Sequence, residues 1–560
     1  MALGVALTAG ALMTPMQAQA AGKLQVDTKE GPVKGFFCGP TAQVSQRCTV
    51  SGVAAFLGIP YAAPPVGNLR WMPPKKHAPW TTVLKATSFG PQCAQITTLG
   101  VFAGPANNNE DCLYLNVFTP NLDSSANLPV IVWIYGGGHV DGESNDYDGS
   151  KLAAQGHTVV VTLNYRLNLM GFLAHPALDA EGHLFGNYGT LDEQAALNWV
   201  RRNIGEFGGD KNNVTLGGQS SGASSTASNV VSPLAAGLFD RAIVESGSAY
   251  MSMTPLSLAE TKGTNFAVAA GCGSGSDAAT AKCLRNLTAA QIMTLSGTIS
   301  ANGPFIAGMI LDGQIFPQGG AAAFASGKFN HMPFMNGPVK DEGNFSIGIT
   351  EYFSGPPRVP PTAADFTTYV TNVYSGNAGP GGSPPTYPAG TVAAVLAQYP
   401  VNAYATPQLA EDAVMTDPTA CRIRHASQLL ADQVPVYAYE FDYQNAPYYF
   451  PPMPGFVPLA AHTIDIQFLF PLYHGGPLGI THYLNNKEED LSDQLVTAWT
   501  NFAWTGNPNG LGNRPWPRYE NNRPTKPTYL SENIPLATLT DAQYSAAHKC
   551  DFWQQYLLYN

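Results

Sequence analysis

Asn213-Val214-Thr215-Leu216-Gly217-Gly218-Gln219-Ser220-Ser221-Gly222, running on through Ala223 to Val230, decides how this 560-residue chain is read. Asn213 to Leu216 reads as a short buried strand, and the small residues after Gly222 can start a helix. Between them lies a Gly-x-Ser-x-Gly pentapeptide that occurs once in the chain. A sharp strand-to-helix turn lifts the central serine oxygen clear of the backbone. Glycines two before and two after leave room for the strained conformation. The helix N-terminus beneath favours negative charge developing at that point. Ser220 is therefore the candidate nucleophile, and Ser221, Ser224 and Ser225 are off-centre.

Upstream, Pro129 to Tyr135 and Thr158 to Leu163 are β-rich runs, and Leu191 to Ile204 has helical spacing. Strand, crossover, strand, helix, strand predicts an α/β protein with a large, mostly parallel central sheet covered by helices on both faces. With the serine turn, this is the α/β-hydrolase pattern, with inserted loops and helices forming a gorge over the C-terminal edge of the sheet. Gly136-Gly137-Gly138-His139 follows the first run. Glycines at a strand end expose backbone N–H groups, so Gly137 and Gly138 are candidate oxyanion donors, with the N–H of Ser221 as the third.

A serine hydroxyl needs a base, normally a histidine oriented by a carboxylate, and in this pattern the order is Ser, acid, His. Asp341-Glu342-Gly343 follows the apolar run Met332 to Met335. The downstream histidines are His425, His462, His474, His482 and His548. His425 and His548 lie in helix-like stretches near cysteines, which suits a packed or solvated role. His462 sits between a Pro-rich loop and the apolar stretch Ile464 to Leu472. Spacing favours Glu342 and His462 without deciding between them and their neighbours. Gly355 to Pro361, Ala378 to Pro388 and Pro447 to Pro458 read as loops over one face. Tyr448, Tyr449 and Phe450 in the last of these are either a gorge rim or ordinary loop packing.

Lys and Arg number 28 against 39 Asp and Glu, and no basic run occurs, which argues against nucleic acid as a partner. Ala2 to Met13 is apolar and uncharged, and Ala18-Gln19-Ala20 is a small-x-small cleavage pattern. Residues 1–20 are thus expected to be a signal peptide and 21–560 a single domain, secreted or periplasmic, with no integral membrane segment. The even count of 8 cysteines fits an oxidising compartment. Pairing sequence neighbours would join Cys38 to Cys48, Cys93 to Cys112 and Cys272 to Cys283, leaving Cys421 for Cys550. The chain has no Cys-x-x-Cys, and no metal or cofactor is expected. Glycosylation sequons stand at Asn213, Asn286 and Asn344.

Further blocks resemble the type-B carboxylesterase family, which includes the cholinesterases and bacterial para-nitrobenzyl esterases. They are Phe56-Leu57-Gly58-Ile59-Pro60-Tyr61-Ala62, Glu110-Asp111-Cys112-Leu113-Tyr114-Leu115-Asn116-Val117, Asn187-Tyr188-Gly189 and Phe207-Gly208-Gly209-Asp210. The resemblance implies Ser220, Glu342 and His462 as the catalytic triad, from Lys340-Asp341-Glu342-Gly343 and Ala461-His462-Thr463. It also implies Gly137, Gly138 and Ser221 as oxyanion donors. The bridges Cys93–Cys112, Cys272–Cys283 and Cys421–Cys550 fall where the family has them, and Arg70 with Glu110 corresponds to a structural salt bridge. The chain departs from the pattern at Gly217, which replaces a usual aromatic, and in three further places. Gln219 stands where many relatives have Glu, Ser221 where most have Ala, and the loop from Cys93 to Cys112 has no Trp. Gln219, which removes a charge, and the missing Trp, which removes a ring, argue against a cationic choline ester. The expected activity is hydrolysis of small-molecule or polymeric carboxylic esters. The rival reading is a non-catalytic binding protein of the same fold, and the sequence leaves oligomeric state open, with a monomer as the default.

Overall fold

A computed structural model describes residues 24–39, 48–102, 104–247, 253–300, 303–305, 308–375, 387–510 and 513–557. Its centre is an eleven-stranded sheet. In chain order the strands are β1 (Phe36–Phe37), β2 (Ala54–Pro60), β3 (Tyr114–Thr119), β4 (Leu128–Ile134), β5 (Val159–Leu163) and β6 (Gly209–Gln219). There follow β7 (Arg241–Glu245), β8 (Phe334–Gly337), β9 (Val436–Phe441), β10 (Pro527–Glu532) and β11 (Ala537–Thr540). Across the sheet they run β11-β10-β9-β8-β7-β6-β4-β5-β3-β2-β1. From β5 through β10 every pairing is parallel, and the strands beyond are antiparallel.

Every residue of β4 and β5 is buried, as strands covered on both faces require, and this explains their unbroken apolar character. The covering helices include α1 (Tyr188–Asn203), α2 (Ser221–Val231), α3 (Gly343–Phe353), α4 (Pro407–Ala431) and α5 (Asn486–Thr505). Alternation along the strands shows the two layers. Asn336 of β8 donates to the Ile423 carbonyl and to Ser427 on α4. Glu245 of β7, whose neighbour Val244 is the register partner of Asn336, points the other way and accepts from the Trp499 indole on α5 at 2.7 Å.

Strand β6 extends well beyond the expected Asn213 to Leu216. Gly217 and Gly218 are poor strand formers, but here each is paired on both sides, to Trp133 and Ile134 of β4 and to Ile243 and Val244 of β7. The Trp133 ring fills the place of a side chain at Gly217. The run Ile464 to Leu472 contributes only a four-residue helical turn, Ile466–Leu469. Residues 355–361 and 447–458 lie outside helices and strands. Residues 1–20 and most of Ala378 to Pro388 lie outside the described residues.

Four disulfides join Cys38–Cys48, Cys93–Cys112, Cys272–Cys283 and Cys421–Cys550. Among the described residues no helix is long and apolar enough to cross a membrane. Of the three sequon asparagines, Asn344 is fully buried and Asn213 is bonded to Arg241, whereas Asn286 is exposed at a helix end.

Candidate active site

The candidate residues converge because each follows the carboxyl end of a parallel strand, the end where α/β sheets open toward ligands. Ser220 follows β6, the glycines 136–138 follow β4, Glu342 comes shortly after β8 and His462 lies in the long loop after β9. Ser220 has φ 60° and ψ −126°, outside the regions a side chain normally occupies, at a cost of order 1–3 kcal/mol. What holds it there is close packing of the turn. A Cβ on Gly222 would overlap the Ile134 carbonyl oxygen, and one on Gly218 would lie 2.5 Å from the Gly222 carbonyl. The Ser220 N–H also donates to the Glu245 carbonyl at 2.9 Å. Helix α2 begins at the next residue, so its positive end lies under the serine.

Opposite, Gly137 and Gly138 have φ 123° and 64°, and His139 follows at φ 59°. The amide N–H groups of Gly137, Gly138 and Ser221 donate to no described residue. Buried backbone donors are nearly always paired, so donors without a described acceptor at these turns are candidates to receive an anionic oxygen.

Glu342 caps α3 at its N-terminal end. One carboxylate oxygen accepts from the Val339 N–H at 3.1 Å, and the other is in a short contact with His462 Nδ1. Asp341 does different work: it accepts from the Gln444 amide at 2.8 Å and from the Ala460 N–H at 3.0 Å, tying the acid loop to the histidine loop. Burial pulls the His462 imidazole down. The charge and hydrogen bond of Glu342, with the charge of Asp465, outweigh that and hold it above its ordinary value. Asp465 is itself pushed up to about 7, by burial first and then by the Glu342 charge.

His462 Nε2 does not bond Ser220 in this structure. It lies 3.2 Å from the side-chain nitrogen of Gln219, whose amide oxygen is buried without a partner. With Nδ1–H donating to Glu342, Nε2 is left to accept from Gln219, whose side-chain nitrogen lies 3.2 Å from Nε2 and 3.5 Å from Nδ1. That is the tautomer a general base requires. In the sequence, Gln219 registers only as a lost charge. The strand alternation that turns its side chain to the same side as Glu245 was the available signal.

Phe345 of α3 packs against His462 with ring centroids 5.4 Å apart, and Phe102 and Phe450 pack on Phe345 at 5.4 and 6.2 Å. Tyr448, Tyr449 and Phe450 are buried rather than forming an exposed rim, because Tyr448 stacks on Phe450 and Tyr449 bonds Thr463. The other histidines are engaged elsewhere. His474 bonds the Leu472 carbonyl, His482 the Tyr448 carbonyl, and His548 lies between Asp417 and Glu440. Arg70 makes two 2.6 Å bonds to Glu110 and further bonds to the carbonyls of Arg285 and Leu287, a structural role. No cluster of metal-ligand type occurs among the described residues.

A sheet of this order, with a strained serine turn at the end of β6 and a carboxylate-bound histidine beyond β9, defines the α/β-hydrolase fold. Residues 22–553 match the sequence model of the Carboxylesterase family, and the chain belongs to that family. It is similar to the medium-chain fatty acyl-CoA hydrolase precursor of Anas platyrhynchos, 34% identical over 594 residues, covering 99% of this chain and 96% of the relative. It is also similar to carboxylesterase 1E of Mus musculus, 33% identical over 95% of this chain and 93% of the relative. Acetylcholinesterase of Bungarus fasciatus is 32% identical over 96% of this chain and 87% of its own length. The protein is a carboxylic ester hydrolase.

Proposed function

We propose that the chain is an exported serine carboxylesterase acting through an acyl-enzyme, with Ser220 as nucleophile, His462 as base and Glu342 as its orienting acid. The observation that carries this reading is the Glu342–His462 pairing beside a serine held at φ 60°. His462 accepts the Ser220 proton as the oxygen attacks the ester carbonyl, and Glu342 stabilises the imidazolium. Gly137, Gly138 and Ser221 donate to the oxyanion. The alcohol leaves with the proton from His462, and water repeats the sequence to release the acid. For the attack, Nε2 exchanges Gln219 for the serine hydroxyl, in keeping with the looser hydrogen bonds of substrate-free sites.

Neutral esters with small to medium acyl groups or an aromatic ring are the proposed substrates. Phe345, Phe102 and Phe450 offer an apolar wall beside His462, and Gln219 offers no charge to a cation. The four disulfides and the apolar residues 1–20 support export.

Hydrolysis of para-nitrophenyl acetate, butyrate and octanoate by wild type and Ser220→Ala tests the reading. The variant should lose about a million-fold in kcat. Near-normal turnover by folded Ser220→Ala would remove Ser220 from the role.

A further inference from the structure

An oxyanion cradle works only if its donors stand at fixed distances before the reaction begins. Here two of the three proposed donors belong to Gly137 and Gly138, in a segment where three successive residues have positive φ. No regular element holds such a segment, so its placement depends on individual hydrogen bonds. The Gly137 carbonyl accepts from the Val140 and Asp141 N–H groups at 3.0 and 3.1 Å, closing the turn on itself, and the turn is tied to α2 and to Asn168 by His139. Its N–H donates to the Ser221 Oγ at 3.2 Å, and its ring Nε2 bonds the Ser225 Oγ at 3.1 Å. Its carbonyl accepts from the Asn168 N–H at 2.7 Å. Ser221 and Ser225 are one turn apart on α2, so both hydroxyls lie on the same side of the helix.

We infer that the Ser221 hydroxyl is a positioning group for the oxyanion cradle, fixing the Gly137–Gly138 donors relative to the backbone N–H of Ser221, with Ser225 as a second tether on the His139 ring. The inference rests on the proposed nucleophile and oxyanion roles. One residue then serves the cradle twice: its N–H is the third donor, and its side chain sets the spacing to the other two. An alanine at this position cannot form the bond. The ring tether suits a neutral imidazole, and burial keeps His139 uncharged, with its pKa down at about 4. His139 packs on Phe172 at 5.2 Å, which leaves the ring little freedom to swing away from Ser225.

The test measures kcat and KM for para-nitrophenyl butyrate, affinity for an alkyl trifluoromethyl ketone, thermal midpoint and fluorophosphonate labelling in wild type, Ser221→Ala and Ser225→Ala. The ketone forms a tetrahedral adduct with the serine, placing an oxyanion in the cradle. One lost hydrogen bond should lower kcat roughly three- to tenfold in Ser221→Ala, with KM within about twofold. Ketone affinity should fall by the same factor while labelling still occurs at Ser220. Ser225→Ala, which removes the His139 ring tether together with the Ser225 bond to Glu193, should shift kcat and ketone affinity in the same direction and keeps the test open if Ser221→Ala fails to fold. Unchanged kcat and ketone affinity in both variants, or a loss confined to KM or to the thermal midpoint, would overturn the inference while leaving the nucleophile in place. Wild type that resists labelling would instead bring down the nucleophile assignment, and this inference with it.

Discussion

At position 219 the chain carries an uncharged amide beside His462, so the electrostatics of the imidazole are left to Glu342 and Asp465. As the proposed base, His462 can take the serine proton only when neutral, so kcat/KM should rise with pH through its pKa. Glu342 and Asp465 hold that pKa above the ordinary imidazole value of about 6.5, which moves the acid limb to higher pH. Gln219 adds nothing to the shift because an amide has no charge. Gln219→Glu would place a carboxylate against Nε2, where Gln219 now lies at 3.2 Å, and favour the imidazolium further. The acid limb should then move up by about one pH unit or more. A limb that stays in place or moves down would show that residue 219 does not face the base during turnover.

Among the elements, α4 is the longest helix described and carries Pro418 in its interior. A proline cannot donate, so the carbonyl four residues earlier, that of Val414, loses its helical partner. The structure restores one from outside: the Tyr374 hydroxyl, buried at the end of the helix Ala363–Tyr374, donates to the Val414 carbonyl at 3.3 Å. The helix that backs β8 and β9 thus keeps its length despite the proline. Tyr374→Phe should destabilise by roughly 1–3 kcal/mol, because it leaves a buried carbonyl unpaired while changing little volume. Chemical denaturation compared with wild type checks this, and an unchanged midpoint would mean that the Val414 carbonyl finds another donor.

On the scale of the whole molecule, the C-terminal segment is clasped to α4 and β9 by a buried charge network. His548 lies between Asp417 at 3.1 Å and Glu440 at 2.5 Å, Lys549 reaches Asp417 at 3.0 Å, and the adjacent Cys550 is joined to Cys421 across 129 residues. Burial opposes the His548 charge, but Glu440 and Asp417 outweigh it and raise the imidazole to about 10. A folded value above the unfolded one contributes stability that is full below pH ~6.5 and is lost as pH rises through about 10. His548→Gln should therefore lower the thermal midpoint strongly at pH 6, and the gap to wild type should narrow as pH approaches 10. A gap independent of pH would mean that His548 is not held charged. The Cys421–Cys550 bridge works with this clasp, and on the chain-entropy account a loop of 129 residues is worth roughly 4–5 kcal/mol.

The sequence by itself determined the sheet, the serine turn, the glycine loop and the family. Each is encoded in a few contiguous residues: Gly218 and Gly222 are demanded by contacts within the turn and with the adjoining strand, and the apolar runs of β4 and β5 by burial on both faces. It narrowed the acid and base to a short set, and the resemblance then pointed to Glu342 and His462. Gln219 against His462 joins positions 243 apart, and the bonds of His139 to Ser221 and of His548 to Asp417 span 82 and 131. No periodicity or local motif reports such a pair, because whether two distant polar groups meet depends on how strands and helices pack. Tertiary structure alone decided them, since a buried polar group must find its partner wherever the fold brings one within reach.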